Sequence, residues 1–125
     1  MIEEGKALFL QIAESVEESI IDGSLGEETQ APSTNELAAF YRINPATAAK
    51  GVNMLVDKGV LYKRRGIGMF VAEGARTALL AERRAAFADR YVDPLLAEAR
   101  HLGLDADDLA RLIHERSTTT EGSAR

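Results

Sequence analysis

Apolar residues recur at helical spacing through most of this chain, with one interruption where the spacing changes to alternation. In "ALFLQIAESVEESIIDGSL", Leu8, Ile12, Val16 and Ile20 fall four apart, with Phe9 and Ile21 beside them. Glu14, Glu17 and Glu18 occupy much of the rest, so the segment predicts an amphipathic helix closed by a left-handed turn at Gly23. "GEETQAPS" reads as a connector of turn formers. Ser33 and Glu36 then form a capping box, and Leu37, Ala38 and Tyr41 make the inward stripe of a short second helix. After the brief turn "RIN", Asn44 is an N-cap and Pro45 occupies the first helical position, where its missing N–H costs nothing. Ala48, Val52, Leu55 and Val56 line one face of this third helix, Thr47, Lys50 and Asn53 lie off it, and Gly59 closes it.

The alternation follows. Val60–Arg65 and Met69–Ala72 are β-rich runs around Gly66 and Gly68, which predicts a hairpin. From Gly74 to Arg116 the helical spacing returns, with Leu80, Phe87, Tyr91, Leu95 and Leu102 at helical intervals. Pro94 interrupts that run and predicts either a kink or a break with Asp93 capping a fresh start. Asp105 and Asp108 cap a last short helix, and the small polar tail, residues 117–125, is expected to be disordered.

Composition narrows the field. The chain has 125 residues, 46% apolar and 28% charged, enough for one small domain with an appendage. There is no cysteine, hence no disulfide framework or thiolate metal site. No apolar run approaches a bilayer span, and "MIEEGKALFL" lacks the features of a signal peptide, so a cytoplasmic protein is expected. The net charge of −5 argues against a polyanionic partner, but its distribution reverses that. Residues 1–36 carry one cation, Lys6, and nine acids, whereas residues 37–72 carry Arg42, Lys50, Lys58, Lys63, Arg64 and Arg65 against the single acid Asp57.

"YKRRGIGMFV" admits two readings, a phosphate-cradling cofactor loop or the tip of a hairpin. A dinucleotide loop needs a helix directly after its glycines and a third glycine in register, where this chain has Val71; the Gly-Lys-Ser/Thr of a Walker loop is also absent. The hairpin reading therefore stands. Helix, helix, helix and hairpin in that order describe a winged helix-turn-helix: a mainly α fold with a small β-hairpin, followed by C-terminal helices. The helix opening at Asn44 is its recognition helix. Ala46 and Thr47 would let the backbone approach base edges, Lys50 suits a phosphate or guanine, and Arg64 and Arg65 beside Gly66 and Gly68 would meet the DNA backbone or minor groove.

"PSTNELA", "INPATAAKGVNMLVDKGVL" and "RRGIGMFV" together resemble the winged-helix domain of the GntR family of bacterial transcription regulators. The Asn44–Pro45 pair and the short helical C-terminus resemble its YtrA-like subfamily. The likeness covers residues 8–72 strongly and the remainder loosely. It implies a dimer on a palindromic operator, usually a repressor, with the C-terminal helices serving mainly in dimerisation. It adds Ser33, Thr34, Asn35, Arg42 and Asn44 to the residues expected at DNA. Family members usually carry an arginine where this chain has Asn35, and that arginine commonly contacts DNA; Arg42 is the neighbouring candidate to compensate.

The expected organisation is thus a winged helix-turn-helix over residues 1–73, a dimerisation segment over 74–116 and the tail. An apolar stripe formed by Leu80, Phe87, Tyr91, Leu95 and Leu102 needs a partner, and a two-fold copy supplies the same face back. His101 and His114, thirteen positions apart, form no metal-ligand spacing, and Asp105, Asp107 and Asp108 lack the glycine and closing glutamate of a calcium loop. No serine, histidine and acid combination suggests catalysis, so neither enzyme activity nor a cofactor is assigned. A small-molecule effector between helices is left open. The rival reading is a winged-helix module that binds protein or RNA without reading DNA sequence.

Overall fold

The computed structural model describes residues 7–123, and side chains as far as Thr119. Its elements are α1 (Leu8–Ile21), α2 (Thr34–Tyr41), α3 (Pro45–Asp57), β1 (Leu61–Arg64), β2 (Gly68–Val71), α4 (Ala75–Phe87), a π-helical turn (Ala88–Val92), α5 (Asp93–His101) and α6 (Ala106–Ser123). The fold is mainly helical with one antiparallel hairpin, a winged helix-turn-helix continued by C-terminal helices. It divides into two compact units, one running to Glu82 and the other starting at Arg83.

In the first unit α1 buries Ile12, Ala13, Val16 and Ile20, and α3 buries Ala48, Gly51, Val52 and Leu55. These two helices make the broadest helix–helix contact, and α2 joins α3 through the same core. Apart from Leu8, which is exposed, the stripes fall where the spacing placed them, because each helix can satisfy its apolar face only toward the others. The helix starts are set locally. Ser33 Oγ accepts the Glu36 N–H at 3.0 Å while the Glu36 carboxylate accepts the Ser33 N–H at 2.9 Å. Asn44 Oδ1 accepts the Ala46 N–H at 2.7 Å, with Pro45 opening α3.

The hairpin pairs Leu61 with Val71, Tyr62 with Phe70, Lys63 with Met69 and Arg64 with Gly68. The stretch expected to be a plain connector does more than connect. Gln30 bridges Phe70, Ala31 N–H donates to Met69 C=O at 2.8 Å, and Glu28 N–H donates to Val71 C=O at 2.8 Å. The outer edge of β2 would otherwise leave its backbone groups without partners.

At three places the structure adds detail to the expected organisation. The boundary placed between residues 73 and 74 marks the start of α4 but not the limit of the first unit. Ala75 and Leu79 are core residues, so the first two turns of α4 belong with the winged helix. Where a disordered tail was expected from Ser117, α6 runs on through Ser123, and residues 124 and 125 lie outside the described residues. Thr118 and Thr119 direct their hydroxyls to the carbonyls of His114 and Glu115, both at 3.0 Å, a back-bonding that lets threonine remain in a helix. Before Pro94 the helix continues through a π turn, without the capped fresh start that was one of the two expected forms. Asp93 N–H bonds Ala88 C=O five residues back, the side chain of Asp93 caps nothing, and Pro94 sits in the first turn of α5, where it has no N–H to lose.

Candidate nucleic-acid interface

The residues expected at DNA come from four places in the first unit: the start of α2, the α2–α3 turn, the first turns of α3, and the hairpin tip. Ser33 and Asn35 are exposed at the start of α2, and Thr34 is half-buried. Arg42 ends α2 in a left-handed conformation, φ 55°, and the Ile43 N–H returns to the Ala38 C=O at 3.0 Å. That tight return fixes the angle between α2 and α3. Asn44 and Ala46 are exposed beside it, and Thr47 is half-buried.

The α3 face opposite the core carries Ala46, Lys50 and Asn53, all exposed. The ammonium of Lys50 lies 4.0 Å from the centroid of the Phe9 ring on α1, a cation–π contact that holds the lysine at that face. Phe9 was visible in the sequence only as an apolar residue beside the main stripe.

At the hairpin tip the turn runs Arg65–Gly66–Ile67, with Gly66 at φ 76° and Ile67 exposed. Gly68 also faces the connector. Its φ of 146° excludes most side chains, and a Cβ there would meet Gln30 Nε2 at 2.6 Å. Gln30 in turn donates to the Ile67 C=O at 3.1 Å. Gly68 thus leaves room for the Gln30 side chain to lie along the hairpin tip.

The basic stretch sorts into groups. Lys58 hydrogen-bonds Glu17 at 2.7 Å and Glu82 at 2.8 Å. Partial burial disfavours its charge, but the two carboxylates outweigh that and hold its pKa above the ordinary lysine value. It ties α3 to α1 and α4 and offers little to an outside anion. The guanidinium of Arg64 stands 4.2 Å from the Phe70 ring centroid and 3.9 Å from Glu28 Oε2. Arg42, Lys63 and Arg65 are exposed and form no ion pair among the described residues. Neither the pairing of Lys58 nor that of Arg64 has a local signature in the sequence.

A family model for bacterial regulatory proteins of the gntR family matches residues 8–71, over half of the chain and the whole of this constellation. The chain belongs to the GntR family. The HTH-type transcriptional repressor YtrA of Bacillus subtilis (strain 168) is 26% identical to it over 118 residues, spanning 94% of this chain and 90% of that protein. A solved GntR-family structure from Bacteroides thetaiotaomicron has a TM-score of 0.75 at 29% identity, covering 91% of this chain and 99% of that one. The DNA-binding domain of AraR in complex with operator ORX1 has a TM-score of 0.51 at 26% identity, covering 58% of this chain and 93% of that one. This GntR protein is a YtrA-like transcription regulator with a DNA-binding winged helix, not an enzyme. Among the described residues no cluster of potential ligands could hold a metal ion, and no helix is long and apolar enough to cross a membrane.

Proposed function

We propose that this GntR regulator acts as a homodimeric repressor on a palindromic operator, with the N-terminal turns of α3 in the major groove and the hairpin at the minor groove. The observation that carries the reading is the two-sidedness of α3. Ala48, Gly51, Val52 and Leu55 are buried, while the N-cap Asn44 and then Ala46, Lys50 and Asn53 along the opposite face stand in the open. Small residues there allow close approach to base edges, and the helix N-terminus presents N–H groups to phosphate. Arg42 and Arg65, which form no ion pair among the described residues, add charge from the flanking turns, with Ser33, Thr34 and Asn35 as polar contacts from the start of α2.

Dimerisation is supported by the second unit. Phe87, Tyr91, Leu95 and Leu102 are exposed, as are Leu96, Leu112 and Ile113, which the spacing had not singled out. So many large apolar groups on a small helical unit call for a covering surface, and a two-fold copy brings an identical one. Two heads set about one helical turn apart, roughly 34 Å, would then read a palindrome. Leu80 is half-buried beside the core residue Leu79 in the first unit, so it contributes less to such a face than expected. A small-molecule effector has a candidate seat within the first unit. An apolar groove of about 560 Å³ is lined by Val16, Leu25, Leu37, Phe40 and Tyr41, with the hydroxyls of Ser15 and Ser19.

The test is fluorescence anisotropy on duplex DNA from upstream of the protein's own gene, against scrambled duplex, at low and physiological salt. The expected result is a salt-sensitive preference for the upstream duplex of about a thousandfold or more. Equal weak binding to both duplexes would favour a winged helix that serves protein or RNA.

A further inference from the structure

Glu28 is a non-glycine residue held at φ 63°. A residue with a Cβ adopts that conformation under constraint, and such outliers gather where a side chain is used. Its backbone is fixed by the N–H bond to Val71 C=O at 2.8 Å. Its carboxylate is fixed on the hairpin: the Tyr62 hydroxyl donates to Oε2 at 2.8 Å, and Arg64 stands 3.9 Å from the same oxygen. Tyr62 and Arg64 are two apart on β1 and so share a face of the hairpin. Arg64 also lies over Phe70, the cross-strand partner of Tyr62. One acid and two rings therefore surround an arginine expected at DNA.

Building on the reading above, we propose that Glu28 is a built-in counter-anion of the wing, which restrains Arg64 in the free protein and weakens its engagement of DNA phosphate. The strengths of the contacts fit an exchange. Tyr62 holds the carboxylate by a short hydrogen bond, whereas the Arg64 pair is long and both partners are about half exposed, at 46% and 50%. Arg64 can leave for a phosphate while Glu28 stays behind. The carboxylate left beside that phosphate repels it, and the repulsion is screened by salt. The wing then adds affinity only where the rest of the interface is well seated. A glycine would satisfy this backbone angle without strain, so the carboxylate is the part of Glu28 that needs a function.

The test uses the full chain with anisotropy titrations on the upstream and scrambled duplexes across a salt series. Glu28→Gln retains an acceptor for Tyr62 and removes the charge. It should tighten binding roughly two- to fivefold at low salt, more on scrambled than on upstream duplex, with the gain fading as salt rises. In an Arg64→Ala background the same substitution should give a clearly smaller gain, that of relieving the direct repulsion of phosphate alone. Glu28→Gly, which relieves the backbone, should tighten binding likewise and guards against a folding defect in the glutamine variant. Unchanged or weaker binding in both variants overturns the proposal, as does an equal gain without Arg64. Wild-type chain that binds neither duplex would overturn the DNA-binding reading itself; wild-type binding with unaltered variants overturns the counter-anion alone.

Discussion

Gly51 packs so closely on Phe9 that a Cβ at position 51 would lie 2.8 Å from the Phe9 carbonyl oxygen and 3.3 Å from Ile12 Cβ. An alanine inside an unobstructed helix is better than glycine by roughly 0.5–1 kcal/mol. Here the obstruction is backbone, which cannot rotate away, so α1 and α3 would have to separate. Gly51→Ala is expected to lower stability by roughly 1–3 kcal/mol, the usual range for overpacking. Urea unfolding should show a lower midpoint at unchanged slope. A raised midpoint would mean that the two helices are not held this close in solution.

Gly51 also marks where the sequence stops being informative. Features settled within one helical turn were legible: the reciprocal Ser33–Glu36 cap, the Asn44–Pro45 start, the Asp105–Asp108 cap, and the α1 and α3 stripes. Each depends on neighbours three or four residues away, which periodicity and capping rules describe. Contacts that close over long sequence separations were not. Gln30 pairing with Phe70, Lys58 joining Glu17 to Glu82, and Glu28 facing Arg64 leave no local pattern. For the candidate site, the exposure of Lys50 followed from the face of α3 it occupies, but the engagement of Lys58 and Arg64 depended on acids supplied by other elements. The π turn before Pro94 was hidden because a proline signals a lost hydrogen bond without fixing how the helix absorbs it.

Glu27 supplies a pH dependence. Its carboxylate accepts the N–H of Gly74 at 2.9 Å and of Arg76 at 3.0 Å, capping the start of α4 from the connector. Those backbone hydrogen bonds favour the charged form and lower its pKa from the usual 4.5. A carboxylate depressed by folding stabilises the protein fully above its unfolded pKa, and the contribution is lost as pH falls through the folded value. Thermal stability should therefore drop below about pH 4.5, and Glu27→Gln should shrink that drop while lowering stability at neutral pH. An acid limb of the same depth in the variant would place the responsible carboxylates elsewhere.

Lys50 and Arg65 test the proposed DNA-facing surface from two elements, α3 and the hairpin tip. Lys50→Ala and Arg65→Ala should each weaken operator binding by roughly 1–3 kcal/mol and reduce the salt slope by about one. Both residues are exposed, so circular dichroism and melting should change little, apart from about 0.5–1 kcal/mol for the lost contact between Lys50 and Phe9. Lys58→Ala is the contrasting control. It should cost stability, because Glu17 and Glu82 lose their common partner, and change DNA affinity far less. A reversed order, with Lys58 dominating DNA binding, would relocate the surface.

Phe87 and Tyr91 test the second unit. Their ring centroids are 5.4 Å apart across the π turn, and each ring is more than half exposed, at 56% and 54%. If they form the centre of a two-fold interface, a charge there is desolvated and unpaired in both copies. Phe87→Asp and Tyr91→Asp should then each weaken the dimer by roughly 2–4 kcal/mol and give a monomer by light scattering at micromolar concentration. The first unit keeps its own core, so its melting should survive. Leu80→Asp is a less clean probe, because Leu80 is half-buried next to Leu79 and a charge there also strikes the winged helix. Dimers that persist in both aromatic variants would move the interface away from these rings, with Leu112 and Ile113 on α6 as the next exposed apolar pair to substitute.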